Sequence, residues 1–220
     1  MQNIQGIIFD MDGLMFDTES LYYRATQEVA DRMGFSYDFA IYEKYIGISD
    51  EEVWQAYHEM YDSLFGQQTV NTFINRSFDR AVELFESGAA EVKPGLKELL
   101  AYLQEENIKC CVASSNQRRI INILLEKNNL TEEFSHIVSF EDVTKAKPDP
   151  EIFEIAADRF DLPKENLLIL EDSKNGILAA DQAGIDVIMV PDLIKPIPEI
   201  KEKTSAVLPS LNEVSTILEK

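Results

Sequence analysis

Basic residues are scarce in this chain: 20 Lys and Arg stand against 40 Asp and Glu among 220 residues, a formal net charge of -20 at pH 7. Such a field repels nucleic acid and anionic membrane surfaces, so neither is an expected partner. Long apolar runs are missing as well, and no stretch of about 18 consecutive apolar residues offers a membrane span. Asp10 comes too early for a charged leader, an apolar segment and a cleavage site to precede it, so a cytoplasmic location is expected. Cysteine is limited to the neighbours Cys110 and Cys111, inside the apolar run Ile108 to Ala113. Without a Cys-x-x-Cys spacing they read as core thiols, not as a redox or zinc site. Neither His58 nor His136 has a partner at ligand spacing, and both read as structural. Internal repeats and low-complexity segments are absent too. What remains, at 45% hydrophobic residues, suffices for a sizeable core: one large domain, or a domain carrying an insertion. A monomer is the simplest expectation.

Against this background Asp10-Met11-Asp12-Gly13 stands out, because it runs directly out of the apolar stretch Ile7-Ile8-Phe9. Asp-x-Asp-Gly is also an ordinary turn sequence. Carboxylates at the end of a buried strand, however, need a cation or a web of donors, and that cost suggests a function. Gly13 lets the backbone turn sharply beside a ligand, and Asp17-Thr18-Glu19 offers N-cap groups for a following helix.

From about Glu19 to Phe85 helical periodicity dominates. Leu21, Ala25 and Val29 form one stripe ending near Gly34. Val53, Trp54, Tyr57 and Tyr61 form a second, opened by the capping box Ser49-Asp50-Glu51-Glu52. Val70, Phe73, Ile74, Ala81, Val82 and Phe85 add one or two further helical turns, and the stripes are expected to pack as a small bundle. From Lys93-Pro94-Gly95 onward helices alternate with short apolar strands at Ile108 to Ala113, Ile137-Val138, Leu167 to Leu170 and Ile185 to Val190. That alternation predicts an α/β fold, a parallel sheet covered on both faces, with ligands outside the carboxyl ends of the strands. The first strand belongs to this sheet, so the helical segment is an insertion: residues 1–16 and 88–220 form the core and 17–87 the inserted unit, joined by two adjacent crossings on which it can rock as a lid.

Three further segments reach the same sheet edge. Strand Ile108 to Ala113 ends in Ser114-Ser115-Asn116, Lys147 lies in Lys145-Ala146-Lys147-Pro148-Asp149-Pro150 before a helix, and strand Leu167 to Leu170 ends in Glu171-Asp172-Ser173. Taken singly, Ser114 is a plausible cap, Lys147 a surface charge and Glu171-Asp172 a solvated loop. Together they make a nucleophile, a hydroxyl, an ammonium and a second acidic pair.

These four segments, in this order, resemble the haloacid-dehalogenase superfamily of phosphohydrolases, in the branch similar to beta-phosphoglucomutase. The marks are Phe9-Asp10-Met11-Asp12-Gly13-Leu14, Val112-Ala113-Ser114-Ser115-Asn116, Lys147-Pro148-Asp149-Pro150 and Leu170 to Gly176. The resemblance implies a Rossmann-like parallel sheet core with an inserted α-helical cap domain. It implies Asp10 as the nucleophile that forms an aspartyl-phosphate, and Asp12 as general acid and then base. It also implies magnesium held by Asp10, the backbone carbonyl of Asp12 and Asp172, with Glu171 contributing indirectly, and Ser114 and Lys147 as donors to the phosphoryl oxygens. Gly13, Ser115, Asn116, Tyr22, Gly47 and Asp50 are the implied substrate-facing positions.

The branch holds both mutases and phosphatases. In the mutase a histidine, a lysine and an arginine of the cap serve the second phosphate, and the corresponding positions here are Tyr22, Ile46 and Asp50, around Gly47. An aspartate where a bisphosphate needs an arginine repels it, which favours hydrolysis. Tyr22, Tyr45 and Trp54 read as cap core ahead of pocket wall. A phospho-accepting signalling domain is the reading from another class; the Asp10-x-Asp12 pair argues against it, since a receiver keeps its phospho-aspartate. The expected partner is a small phosphorylated metabolite, a sugar phosphate or a nucleotide.

Overall fold

In the computed structural model, residues 3–48 and 50–219 are described. In chain order the elements are β1 (Gly6–Phe9), α1 (Glu19–Met33), α2 (Phe39–Tyr42), α3 (Asp50–Phe65), α4 (Gln67–Glu86), α5 (Leu96–Glu105), β2 (Lys109–Ala113), α6 (Arg118–Lys127), β3 (His136–Val138), α7 (Glu151–Phe160), β4 (Leu167–Glu171), α8 (Lys174–Ala183), β5 (Asp186–Met189), α9 (Pro198–Lys201), β6 (Ala206–Val207) and α10 (Val214–Leu218). The chain divides into two compact units, Met1–Asp17 with Glu91–Lys220, and Thr18–Ala90.

The first unit is a six-stranded sheet in the order β3-β2-β1-β4-β5-β6. Every neighbouring pair is parallel, with Ile8 beside Cys111 on one side and Ile169 on the other. A parallel sheet needs crossover helices, and these bury both faces. Accordingly β1 and β4 are buried at every residue. Ile8, Cys111, Ala113, Ile169, Val187 and Met189 face one core, which α7 and α8 close with Phe153, Ala156, Ile177 and Ala180. Cys110 and Cys111 are free buried thiols in this layer, and burial pushes the Cys110 thiol up to about 12. His136 is a structural group: its Nε2 lies 3.2 Å from the Ala156 carbonyl and its ring sits edge-on to Phe160.

The second unit is helical. Its core gathers Val29, Ala30, Phe35, Tyr57, Tyr61, Val70 and Phe73, and the Phe35 ring stacks on both Phe65 and Phe73 at 4.1 and 4.4 Å between centroids. The residues from Val70 to Phe85 lie on one uninterrupted 20-residue helix, longer than the pattern suggests, because no Gly or Pro breaks the segment. Trp54 departs from the expected stripe and is 44% exposed, because Val53, Tyr57 and Tyr61 repeat every four residues toward the core and leave Trp54 about 100° round the helix. Thr18 precedes α1 but does not cap it with its side chain: it adopts helical φ/ψ, and its own carbonyl takes the Leu21 and Tyr22 amides. Of the expected capping box, Ser49 lies outside the described residues. His58 is held between Asp62 and Asn71. Among the described residues no helix is long and apolar enough to cross a membrane.

Candidate active site

Asp10 is the first residue past β1. Its amide still donates to the Leu170 carbonyl at 3.0 Å, so the ladder fixes where its side chain starts. The chain then folds back tightly: Gly13 takes φ 78°, its amide donates to Phe16, and Met15 donates to Met11. A Cβ at Gly13 would lie 2.4 Å from Asp172 Oδ2, so glycine is required both by the φ and by the approach of the acidic loop after β4.

Lys147 Nζ donates to Asp10 Oδ1 at 2.5 Å and to Glu171 Oε1 at 2.8 Å. Its ammonium is enclosed, with 7% of the side chain exposed and the Phe153 ring centroid 4.7 Å away. Burial works to strip that proton, but the carboxylates of Asp10 and Glu171 outweigh it and hold Lys147 above its usual range. Glu171 is itself locked, because its other oxygen accepts the Ser173 amide at 2.7 Å. Ser173 in turn caps α8 by accepting from the Gly176 amide.

A second group forms around Asp12. Ser114 Oγ donates to Asp12 Oδ2 at 3.2 Å, and the Asn116 side-chain amide reaches both Asp12 oxygens at 3.4 Å. The Asn116 backbone amide donates to Ser114 Oγ at 3.0 Å, which orients the hydroxyl. Ser115 is exposed.

Asp10, Glu171 and Asp172 each present a carboxylate oxygen, all within 4.8 Å of one another. Burial, then Glu171 and Asp12, push the Asp10 carboxyl up to about 8 against the pull of Lys147. Burial, then Glu171, Asp10 and Asp192, push Asp172 well up. Asp10 and Glu171 share one ammonium while Asp172 lies close to both, and a hard divalent cation is the species that such an oxygen set is short of. The residues therefore fit magnesium.

The structure thus brings together Asp10, Asp12, Gly13, Ser114, Asn116, Lys147, Glu171 and Asp172 in the sheet unit. Tyr22, Gly47 and Asp50 belong to the helical unit, where Tyr22 packs edge-on against Phe85 at 5.2 Å and Asp50 opens α3. Sequence reasoning missed Asp192, whose Oδ1 accepts from Lys93 Nζ at 2.6 Å. The signal was there: Asp192 comes two residues after the apolar run Ile185 to Val190, on the strand-end side where the other acids lie. Gly176 was missed as a site residue too, although its bare Cα is what Glu171 packs against.

Residues 7–190 match the model of the haloacid dehalogenase-like hydrolases. The chain belongs to this family. It is 34% identical, over 93% of its length and 87% of the relative's, to a protein of Drosophila melanogaster named "Probable pseudouridine-5'-phosphatase". It is 30% identical to a phosphorylated carbohydrates phosphatase of Thermotoga maritima, with 84% of each chain covered. A solved beta-phosphoglucomutase from Clostridium difficile superposes with a TM-score of 0.75 at 26% identity, covering 96% of this chain and 93% of that one. The family and its beta-phosphoglucomutase-like branch account for the Rossmann-like sheet, and the chain is an enzyme of the phosphoric monoester hydrolase kind.

Proposed function

We propose that this hydrolase is a magnesium-dependent phosphatase that cleaves a small phosphorylated metabolite, a sugar phosphate or a nucleotide, through an aspartyl-phosphate on Asp10. The observation that carries this reading is the buried ammonium of Lys147 shared between Asp10 and Glu171, with Asp172 near enough to complete a cation site. An Asp10 carboxylate oxygen attacks phosphorus; the new O–P bond forms as the ester P–O bond breaks, and Asp12 passes a proton to the departing oxygen. Asp12 then takes a proton from the water that attacks the phosphoryl group, phosphate leaves and Asp10 is restored. Ser114 and Lys147 donate to the phosphoryl oxygens, where charge gathers. Asp10, Asp172 and the Asp12 backbone carbonyl would hold magnesium, which when bound offsets the repulsion between the nucleophile and the phosphate oxygens. Glu171 contributes by fixing Lys147.

The division into a catalytic core, 1–16 and 88–220, and an inserted cap, 17–87, belongs to the same proposal, with Tyr22, Gly47 and Asp50 of the cap bearing on substrate choice. The phosphatase names of two relatives support hydrolysis. So does the resemblance, which sets Tyr22, Ile46 and Asp50 where the mutase carries its histidine, lysine and arginine.

Rapid-quench trapping during turnover of a panel of phosphorylated metabolites tests the reading. Wild-type protein should give transient phosphoprotein, and Asp10→Asn none, with turnover reduced by at least about 10³-fold. Asp12→Asn should accumulate phosphoprotein. Normal turnover by Asp10→Asn removes Asp10 from its role. Bisphosphate-stimulated conversion of beta-glucose 1-phosphate into glucose 6-phosphate, with little free phosphate, would establish the mutase reading instead.

A further inference from the structure

Asp192 lies beside the site and has no part in the chemistry above. One carboxylate oxygen, Oδ1, is fixed by Lys93 Nζ at 2.6 Å, and the side chain is only 9% exposed. The other, Oδ2, is buried and has no hydrogen-bond partner among the described residues. A buried acceptor without a donor is costly, and a carboxylate oxygen especially so. The direction in which it points adds to the cost. A Cβ built on Gly13 would meet Asp172 Oδ2 at 2.4 Å and Asp192 Oδ2 at 3.1 Å, so the two anionic oxygens converge on one stretch of backbone. Lys93 neutralises the far oxygen and leaves the near one turned toward another acid. That arrangement is unfavourable unless a proton, a cation, or water held by a cation stands between them.

We propose that Asp192 is a positioning residue for the divalent cation: its Oδ2 accepts a hydrogen bond from a water in the hydration shell of the ion that Asp10 and Asp172 hold. Lys93 keeps the carboxylate turned so that this acceptor faces the site. The inference rests on the metal site of the proposed function. Acceptors of this outer kind orient what is bound to the metal, and their loss typically costs about 10–100-fold in metal affinity.

Manganese serves as the probe, titrated into the full chain without substrate and followed by electron paramagnetic resonance of the free ion. Asp192→Asn is the deciding variant. Its amide oxygen goes to Lys93, which leaves the NH₂ group, a donor, where the acceptor had been. Affinity is expected to fall about 10–100-fold in Asp192→Asn and in Asp192→Ala. Asp186→Asn, which removes an equal charge from the exposed start of β5, should shift affinity less than about twofold, since distant surface charge is screened. Where Asp192→Ala does not fold, the isosteric Asn variant decides alone. Unchanged affinity in Asp192→Asn, or an equal loss in Asp186→Asn, overturns the inference and leaves the metal site standing. Failure of the wild-type protein to bind manganese overturns the site on which the inference rests.

Discussion

Gly176 shows how much of this site depends on an absent side chain. A methyl group there would lie 1.6 Å from Glu171 Oε1 and 1.8 Å from its carboxyl carbon. A surface glutamate would swing aside, but this one is 1% exposed and tied at one oxygen to Lys147 and at the other to the Ser173 amide. Gly176→Ala is therefore expected to destabilise the protein by about 2–3 kcal/mol, from overpacking together with a strained charged hydrogen bond. Because Lys147 loses its second anchor, turnover should fall as well. Urea unfolding and phosphate release on one preparation check this, and a variant with wild-type values for both would show that Glu171 need not sit where it does. Position 13 is under a similar constraint, with the positive φ added, so Gly13→Ala should cost more than an ordinary turn substitution.

Among the elements, the short 3₁₀ turn after β3, Phe140–Asp142, is anchored both within itself and to two helices. Asp142 closes a capping box with Ser139, accepting its amide at 2.8 Å and its hydroxyl at 2.9 Å. It also accepts from Arg159 of α7 at 2.8 Å and from Arg118 of α6. Burial would raise this carboxyl, but Arg159, Ser139 and Arg118 outweigh it and hold it well below the ordinary 3.8. A folded value beneath the unfolded one means that the contribution is complete above about pH 4 and is lost as pH falls further. Asp142→Asn should lower stability at pH 7 by about 1–3 kcal/mol. The variant should also show a shallower loss between pH 4 and pH 2 than the wild type. Denaturant midpoints at pH 7 and pH 3 measure both, and parallel acid sensitivity would remove Asp142 as the source.

For the whole molecule, acidity and metal binding are linked with the opposite sign. Asp10 lies at about 8, against 3.8 for an ordinary Asp, chiefly through burial. Between those values the folded, metal-free protein keeps a proton that the unfolded chain releases, so its stability falls as pH rises from about 4 to 8. A divalent cation at Asp10 and Asp172 supplies the missing positive charge, and its benefit is greatest where both groups are ionised. Magnesium should therefore raise the melting temperature more at pH 8 than at pH 5, and exhaustive chelation should abolish turnover. Thermal melts at both pH values, with and without magnesium, would show it, and an equal shift at each pH would speak against these carboxylates as ligands.

Much of the fold was legible in the sequence because its signals are local. Strand runs such as Ile7 to Phe9 and Leu167 to Leu170 are apolar at every position, as strands buried on both faces must be, and helix-ending glycines such as Gly34 and Gly184 take the positive φ that glycine tolerates. The strand-end rule likewise places Asp10, Ser114 and Glu171-Asp172 at one edge. The pairing of atoms was not legible. Lys147 and Asp10 are 137 residues apart, and the meeting of their side chains depends on the sheet order β2-β1-β4, which no local pattern encodes. The same holds for the departures: Thr18 leaves its capping role to its carbonyl, Trp54 stays open on α3, and Asp192 turns toward Asp172. Composition and periodicity determined which groups line the edge, because they act through neighbours in the chain. Only the tertiary structure decided which acid shares the ammonium and which is left short of a donor, because both depend on burial and distance between segments far apart in sequence.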